Sequence, residues 1–209
     1  IVEYNAEKCL VAVGREPVTD TLALENIDLE TDENGVIPTD DQCRTESESV
    51  FAVGDVAGEP MLAHKAMAEG EVAAKAAAGE PAAFDHQAIP AAVFTDPEIA
   101  TVGMTESEAE AAGFDPVTGQ MPMRANGRAL TVDEKEGFAR VVADADEEFL
   151  LGAQIVGPDA SELIAELGLG IEMGARLEDI AGTIHTHPTL SEAVHEAAAA
   201  ARGEAIHTR

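Results

Sequence analysis

The chain has 209 residues, with 41 Asp and Glu against 12 Lys and Arg and a formal net charge of −29 at pH 7. That length suits one large domain or two small ones and buries a substantial core without disulfides, while so negative a surface repels nucleic acid and anionic membranes. Hydrophobic residues make up 45% and aromatic ones only 3%, with no Trp, so the core is expected to come from Val, Ile and Leu at close backbone spacing.

The acidic residues are spread through hydrophobically patterned sequence and form no tail, which argues against a disordered acidic segment. They favour adaptation to molar salt, where the Debye length falls to roughly 3 Å and self-repulsion is screened. Cys9 and Cys43 stand far apart in neither a redox nor a metal-ligand pattern, so both are expected as small buried residues. No leader-like or membrane-spanning run is present, which points to the cytoplasm. The chain opens at Ile1, inside an apparent strand, and reads as the later part of a longer protein.

In chain order, "IVEYNAEKCLVAVGREP" (1–17) predicts a short strand, a polar turn and the apolar strand "CLVAVG", in the style of a buried parallel strand. "DENG" (32–35) is a turn, and "SVFAVGD" (49–55) repeats the design of apolar strand, glycine and polar end. Two such strands suggest an α/β core. "MLAHKAMAEGEVAAKAAA" (61–78) is alanine-rich and helical, ended by Gly79 and Pro81, and sets a boundary near residue 85. Beyond it, "AIPAAVFTDPEIATVGM" gives two strands around an Asp-Pro turn, and "TESEAEAAGF" a helix opened by a Thr105/Glu108 capping box. "GFARVVAD" and "FLLGAQIVG" read as antiparallel strands, followed by the helix "SELIAELGLGIEMGA" with Leu163, Leu167 and Ile171 on one face. This second region is α+β with an antiparallel sheet.

Three places carry candidate chemistry. Gly168, Gly170 and Gly174 have glycine-loop spacing but lie within a helical pattern, so close helix packing is the better reading. Gly54 and Asp55 end an apolar strand, where a ligand of an α/β sheet would gather, and the helix starting near Leu62 or Ala63 aims its N–H groups at the same place. On these residues alone, a strand-turn-helix in which Asp55 merely orders the turn is the better reading. The third is "IHTHPTLSEAVHEA" (184–197). It admits a helix start capped by Thr189 and Glu192 with Pro188 ahead of it, a metal site using His185, His187 and His195, or a proton-transfer pair.

The run "TESESVFAVGDVAGEPMLAHKAMAEG" resembles the second flavin-binding segment of the pyridine nucleotide-disulfide oxidoreductases. "LVAVGREP" resembles the strand that closes their nicotinamide-nucleotide domain, and "HTHPTLSEA" the active-site motif of their C-terminal interface domain. Within that family, "PMLAH" and the H-x-H-P-T-L-S-E form point to members acting on dihydrolipoyl groups over glutathione or mercuric reductases. The resemblance implies that residues 1–17 end an NAD-binding domain, 18–85 form a central FAD-contacting segment, and 86–209 form an interface domain. It implies FAD contacts at Gly54, Asp55, Met61, Leu62, Ala63 and His64, an approach of Gly14 to NAD, His187 as catalytic base and Glu192 as its orienting carboxylate. His187 would take a proton from a dihydrolipoyl thiol, with electrons passing through an enzyme disulfide and FAD to NAD. A homodimer is implied, serving a lipoyl-bearing acyltransferase of a 2-oxoacid dehydrogenase complex or another lipoyl protein. The family's G-x-G-x-x-G fingerprints and C-x-x-x-x-C redox pair are not in these 209 residues. Another disulfide reductase of the same family, of glutathione or mercuric type, is the nearest rival reading, and a non-catalytic acidic dimerisation module is a rival of another class.

Overall fold

A computed structural model describes residues 3–207. The chain divides into two compact units, Ile1–Asp85 and His86–Arg209.

The first unit holds one long helix, α1 (Ala63–Ala77), in the predicted place. Its small core packs Cys43, Val72 and Ala73 against Phe51, Val53, Ala82 and Phe84. None of the three predicted strands of this unit forms among the described residues. Leu10, Val11 and Val13 are 90%, 75% and 93% exposed, because an apolar run becomes a strand only when a neighbour takes up its N–H and C=O groups. The start of the first predicted strand, residues 1 and 2, lies outside the described residues. In "SVFAVGD" only Phe51 pairs, in an isolated bridge with Arg44, and the chain then coils into a single 3₁₀ turn, Gly54–Ala57. Arg44 closes that bridge by stacking on the Phe51 ring and donating to the Ala76 carbonyl at the end of α1. Cys9 is exposed, contrary to expectation, since among the described residues nothing packs over the segment around it; Cys43 is buried as expected.

The second unit is a five-stranded antiparallel sheet with helices. Its strands are β1 (Ala91–Val93), β2 (Glu98–Gly103), β3 (Pro116–Pro122), β4 (Phe138–Asp144) and β5 (Leu150–Gly157). Their order across the sheet is β1-β2-β5-β4-β3. The expected β1/β2 and β4/β5 pairs are present. β3 is a strand that the sequence conceals: a proline at each end and a glycine inside argue against one, yet prolines are tolerated at a sheet edge, and β3 is an edge. The short helix α2 (Glu106–Ala111) opens with the predicted capping box, with both its reciprocal hydrogen bonds made.

Two longer helices, α4 (Ala160–Glu172) and α6 (Glu192–Ala201), cover one face of the sheet. Paired residues of neighbouring antiparallel strands point the same way, so the register sets Gly119, Val141, Ala153 and Val102 in one row. α4 lies over the Val102 end, where Gly168 faces its side chain, and α6 over the Gly119 end. A Cβ at Gly119 would stand 2.1 Å from the Ala197 carbonyl oxygen, so helix backbone rests directly on strand backbone. The alanines at 193, 197 and 198, all fully buried, make that approach possible. This explains how a chain so poor in aromatics closes its core. In α4 the buried stripe is Ile164, Leu167 and Gly168, rotated from the expected one; Leu163 and Ile171 pack at its margin. Gly170 meets Leu150 closely, whereas Gly174 takes a left-handed conformation just past the helix. Two short helices, α3 (Gly127–Val132) and α5 (Leu177–Gly182), complete the unit. Among the described residues no helix is long and apolar enough to cross a membrane.

Candidate active site

The loop between α5 and α6 carries the histidine motif. Thr189 organises it: its hydroxyl donates to the Thr186 carbonyl at 2.7 Å, and its backbone N–H donates to Glu192 Oε2 at 2.8 Å. The other carboxylate oxygen, Oε1, lies 2.9 Å from His187 Nδ1. The reciprocal half of the expected capping box, a Thr189 side-chain bond to the helix, is not made, and the helix takes Ser191 as its N-cap with no side-chain bond. Glu192 therefore reaches back from the first turn of α6 to a backbone donor and an imidazole at once. A carboxylate on Nδ1 selects the tautomer that leaves Nε2 with its lone pair. The His187 side chain is 79% exposed and that of Glu192 only 26%, so the imidazole is presented outward on a half-buried support. Burial pushes the Glu192 carboxyl up. Hydrogen bonds from Thr189 and His187, with the charges of His187 and His207, outweigh it and hold the carboxyl below its usual range.

The neighbouring histidines are placed differently. His185 is largely buried, with Nδ1 3.0 Å from the Thr183 carbonyl and Nε2 2.8 Å from Glu166 Oε1, so neither nitrogen is open to a ligand. The ring of His195 is 5.6 Å away, and its Nδ1 is buried without a hydrogen-bond partner. Among the described residues, no three His, Cys, Asp or Glu side chains gather as a metal site. Glu196, buried in α6, accepts the N–H groups of Ile206 and His207 and pairs with His207 Nδ1 at 2.9 Å. Residues 206 and 207 are thereby held against α6. A cavity of about 380 Å³ opens between His187, Glu192, His195, His207 and the buried Asn126. Sequence reading missed Asn126, Glu166 and Glu196. Asn126 alone had a local signal, as an N-cap residue ahead of a short helix.

In the first unit, the residues expected at FAD cluster around the turn into α1. Gly54 is buried with φ +75°, and a Cβ there would meet the Ala66 side chain at 3.0 Å, so only glycine lets the turn lie this close to the helix. Asp55 is exposed, Met61 buried, Leu62 half-buried, and Ala63 and His64 exposed. Beneath them lies a pair the sequence reading did not single out. Lys65 and Glu69 form a buried ion pair at 2.8 Å. Glu69 also accepts the Gly54 N–H at 2.7 Å, and Lys65 donates to the Gly58 carbonyl at 3.1 Å. One helix turn thus grips both ends of the Asp55 turn. Arg15 donates to the Met61 carbonyl. Gly14 is exposed with open space around it. An exposed carboxylate on a rigid turn, beside a helix N-terminus that no side chain caps, suits a polyhydroxyl and phosphate-bearing group such as FAD.

Two family models match the chain: the dimerisation domain of pyridine nucleotide-disulphide oxidoreductases over residues 89–198, and a pyridine nucleotide-disulphide oxidoreductase model over residues 2–70. The chain belongs to the pyridine nucleotide-disulphide oxidoreductase family. Among curated relatives it is 93% identical to dihydrolipoyl dehydrogenase 2 of Haloarcula marismortui, over all of this chain and 44% of that protein. It is 66% identical to the dihydrolipoyl dehydrogenase of Halobacterium salinarum, over 99% of this chain and 44% of that one. The chain thus spans less than half the length of these relatives. Their haloarchaeal source agrees with the salt-adapted reading of its acidic surface. Among solved structures, LpdA from Mycobacterium tuberculosis matches with a TM-score of 0.80 at 30% identity, over 88% of this chain and 40% of that one. The flavoprotein disulfide reductase RclA from Escherichia coli matches with a TM-score of 0.83 at 27% identity, over 90% of this chain and 44% of that one.

Proposed function

We propose that this chain is the flavin-contacting and dimer-forming part of an NAD-dependent dihydrolipoyl dehydrogenase. The observation that carries the reading is the His187–Glu192 pair: an exposed imidazole whose Nδ1 is held by a carboxylate at 2.9 Å. The names of the relatives support dihydrolipoyl groups as the substrate over glutathione or mercuric ion.

Oxidation of the dithiol to a disulfide releases two protons and two electrons. His187 Nε2 takes the first proton, leaving a thiolate able to attack a disulfide, and the Glu192 carboxylate stabilises the imidazolium so formed. FAD, when bound, supplies the two-electron carrier between the sulfurs and NAD. Toward it, Asp55 offers an acceptor to the ribityl hydroxyls, Gly54 permits close approach, and Met61, Leu62, Ala63 and His64 line the flavin. Gly14 faces NAD. Residues 1–17 end the NAD-binding domain, 18–85 contact FAD and 86–209 form the interface of a homodimer in which His187 serves the partner's site. A lipoyl-bearing acyltransferase or another lipoyl protein is the macromolecular partner, in the cytoplasm. The test is to assay the full-length, FAD-loaded enzyme in molar salt with dihydrolipoamide and NAD⁺, and separately with glutathione disulfide or mercuric ion and NADPH. Turnover with dihydrolipoamide is expected. Turnover only with one of the others would move the enzyme to another branch of the family.

A further inference from the structure

We infer that Asn126 is a positioning residue for the His187–Glu192 pair, an inference that rests on the catalytic reading of that pair. Asn126 is 2% exposed, and both ends of its amide are committed. Oδ1 accepts the N–H groups of Arg128 and Ala129 at 2.9 and 3.0 Å, which starts α3, and Nδ2 donates to the Thr189 carbonyl at 3.1 Å. Backbone N–H groups only donate, so they fix which end of the amide is oxygen, and the nitrogen is left facing an acceptor. One buried side chain thereby ties the start of α3 to a loop 63 residues further along.

That tie leads to the imidazole. Thr189 is gripped at its carbonyl by Asn126 and at its N–H by Glu192, and the second oxygen of Glu192 holds His187 Nδ1. The line Asn126, Thr189, Glu192, His187 runs from a buried amide to a ring that is 79% exposed. So open a ring has little packing to fix it, and these hydrogen bonds set its position. If Asn126 loses its donor, Thr189 keeps only its ties within the loop, to Thr186 and Ser191; its peptide shifts, Glu192 follows its N–H partner, and the base drifts from its productive place. Misplacement on the scale of an ångström costs a reaction on the order of 100-fold.

The plain alternative is that Asn126 only caps α3, a role that needs its oxygen and not its nitrogen. Asn126→Asp separates the two, because it keeps the capping oxygen and removes the donor. The experiment uses the full-length, FAD-loaded enzyme in molar salt. It measures kcat, KM and the pH–rate profile for dihydrolipoamide oxidation, together with NADH-driven reduction of an artificial dye, which asks nothing of the base. In Asn126→Asp, kcat is expected to fall about 10- to 100-fold with KM near the parental value. The pH profile should be displaced in the same sense as in Glu192→Gln, and dye reduction should be retained. In a Glu192→Gln background the same change should cost less than about twofold more, as for two residues acting through one path. Asn126→Ser, which caps but is too short to reach Thr189, should repeat the kcat loss. Parental kcat and pH profile in folded Asn126→Asp, or losses that multiply with Glu192→Gln, would overturn the inference. So would failure of both variants to give folded flavoprotein, which would make Asn126 a residue of the fold alone. His187→Gln, run alongside, separates the two levels: if it turns over like the parent, the catalytic reading itself is wrong.

Discussion

Glu69 and Glu192 each use both carboxylate oxygens in the same way, one on a cationic or ionisable side chain and one on a backbone N–H of a loop. Glu69 takes Lys65 and Gly54; Glu192 takes His187 and Thr189. Their surroundings are opposite. The Lys65 and Glu69 side chains are 6% and 8% exposed, whereas the His187 ring is 79% exposed. A charge pair shut away from water can only hold its turn in place, since no reactant reaches it. A pair with one open end can exchange a proton. We propose that the same hydrogen-bond pattern serves as a brace in one unit and as a reactive device in the other, with exposure deciding which.

If that contrast is right, breaking the buried pair should cost folding and breaking the open pair should cost rate. The largest effect on stability is expected from Glu69→Ala, which leaves Lys65 buried without its countercharge and Gly54 N–H without an acceptor. Such a loss costs about 3 to 5 kcal/mol. Denaturant unfolding of the full-length protein in molar salt should show it, along with weakened retention of FAD by the loosened Asp55 turn. Stability and FAD retention equal to the parent would mean the pair does not brace that turn.

Glu192→Gln should cost far less stability, under about 1 kcal/mol for so open a pair, while slowing turnover. Its pH dependence sharpens the contrast. The folded carboxyl is held below its usual range, so its contribution is fully present above the unfolded value of about 4.3 and is lost as pH falls through the lower folded value. The gap in melting temperature between parent and Glu192→Gln should therefore be widest near neutrality and close on acidification below pH about 4. A gap that widens in acid would show that the carboxylate is not stabilised by its partners.

Much of this was legible in the sequence, and what was hidden shares one cause. The capping box of α2 and the Glu192 contact join residues three to five positions apart, within reach of spacing rules, and β4 and β5 are consecutive strands that pair as a hairpin. β3 was hidden because proline and glycine mark a loop unless one knows that the strand lies at an edge and must admit the backbone of α6. The "CLVAVG" run misled for the converse reason: its pattern is that of a strand, but a strand exists only with a neighbour. Among the site residues, His187 and Glu192 stand in one motif, whereas Asn126 meets Thr189 across 63 residues and Glu166 meets His185 across 19. Such partners are chosen by the fold and leave no local mark.

Whether the open imidazole moves a proton in catalysis is decided by steady-state oxidation of dihydrolipoamide by full-length, FAD-loaded His187→Gln in molar salt. Turnover is expected to fall on the order of 100-fold or more, the scale of a lost general base, with FAD content and melting temperature unchanged. Turnover near that of the parent would contradict that role.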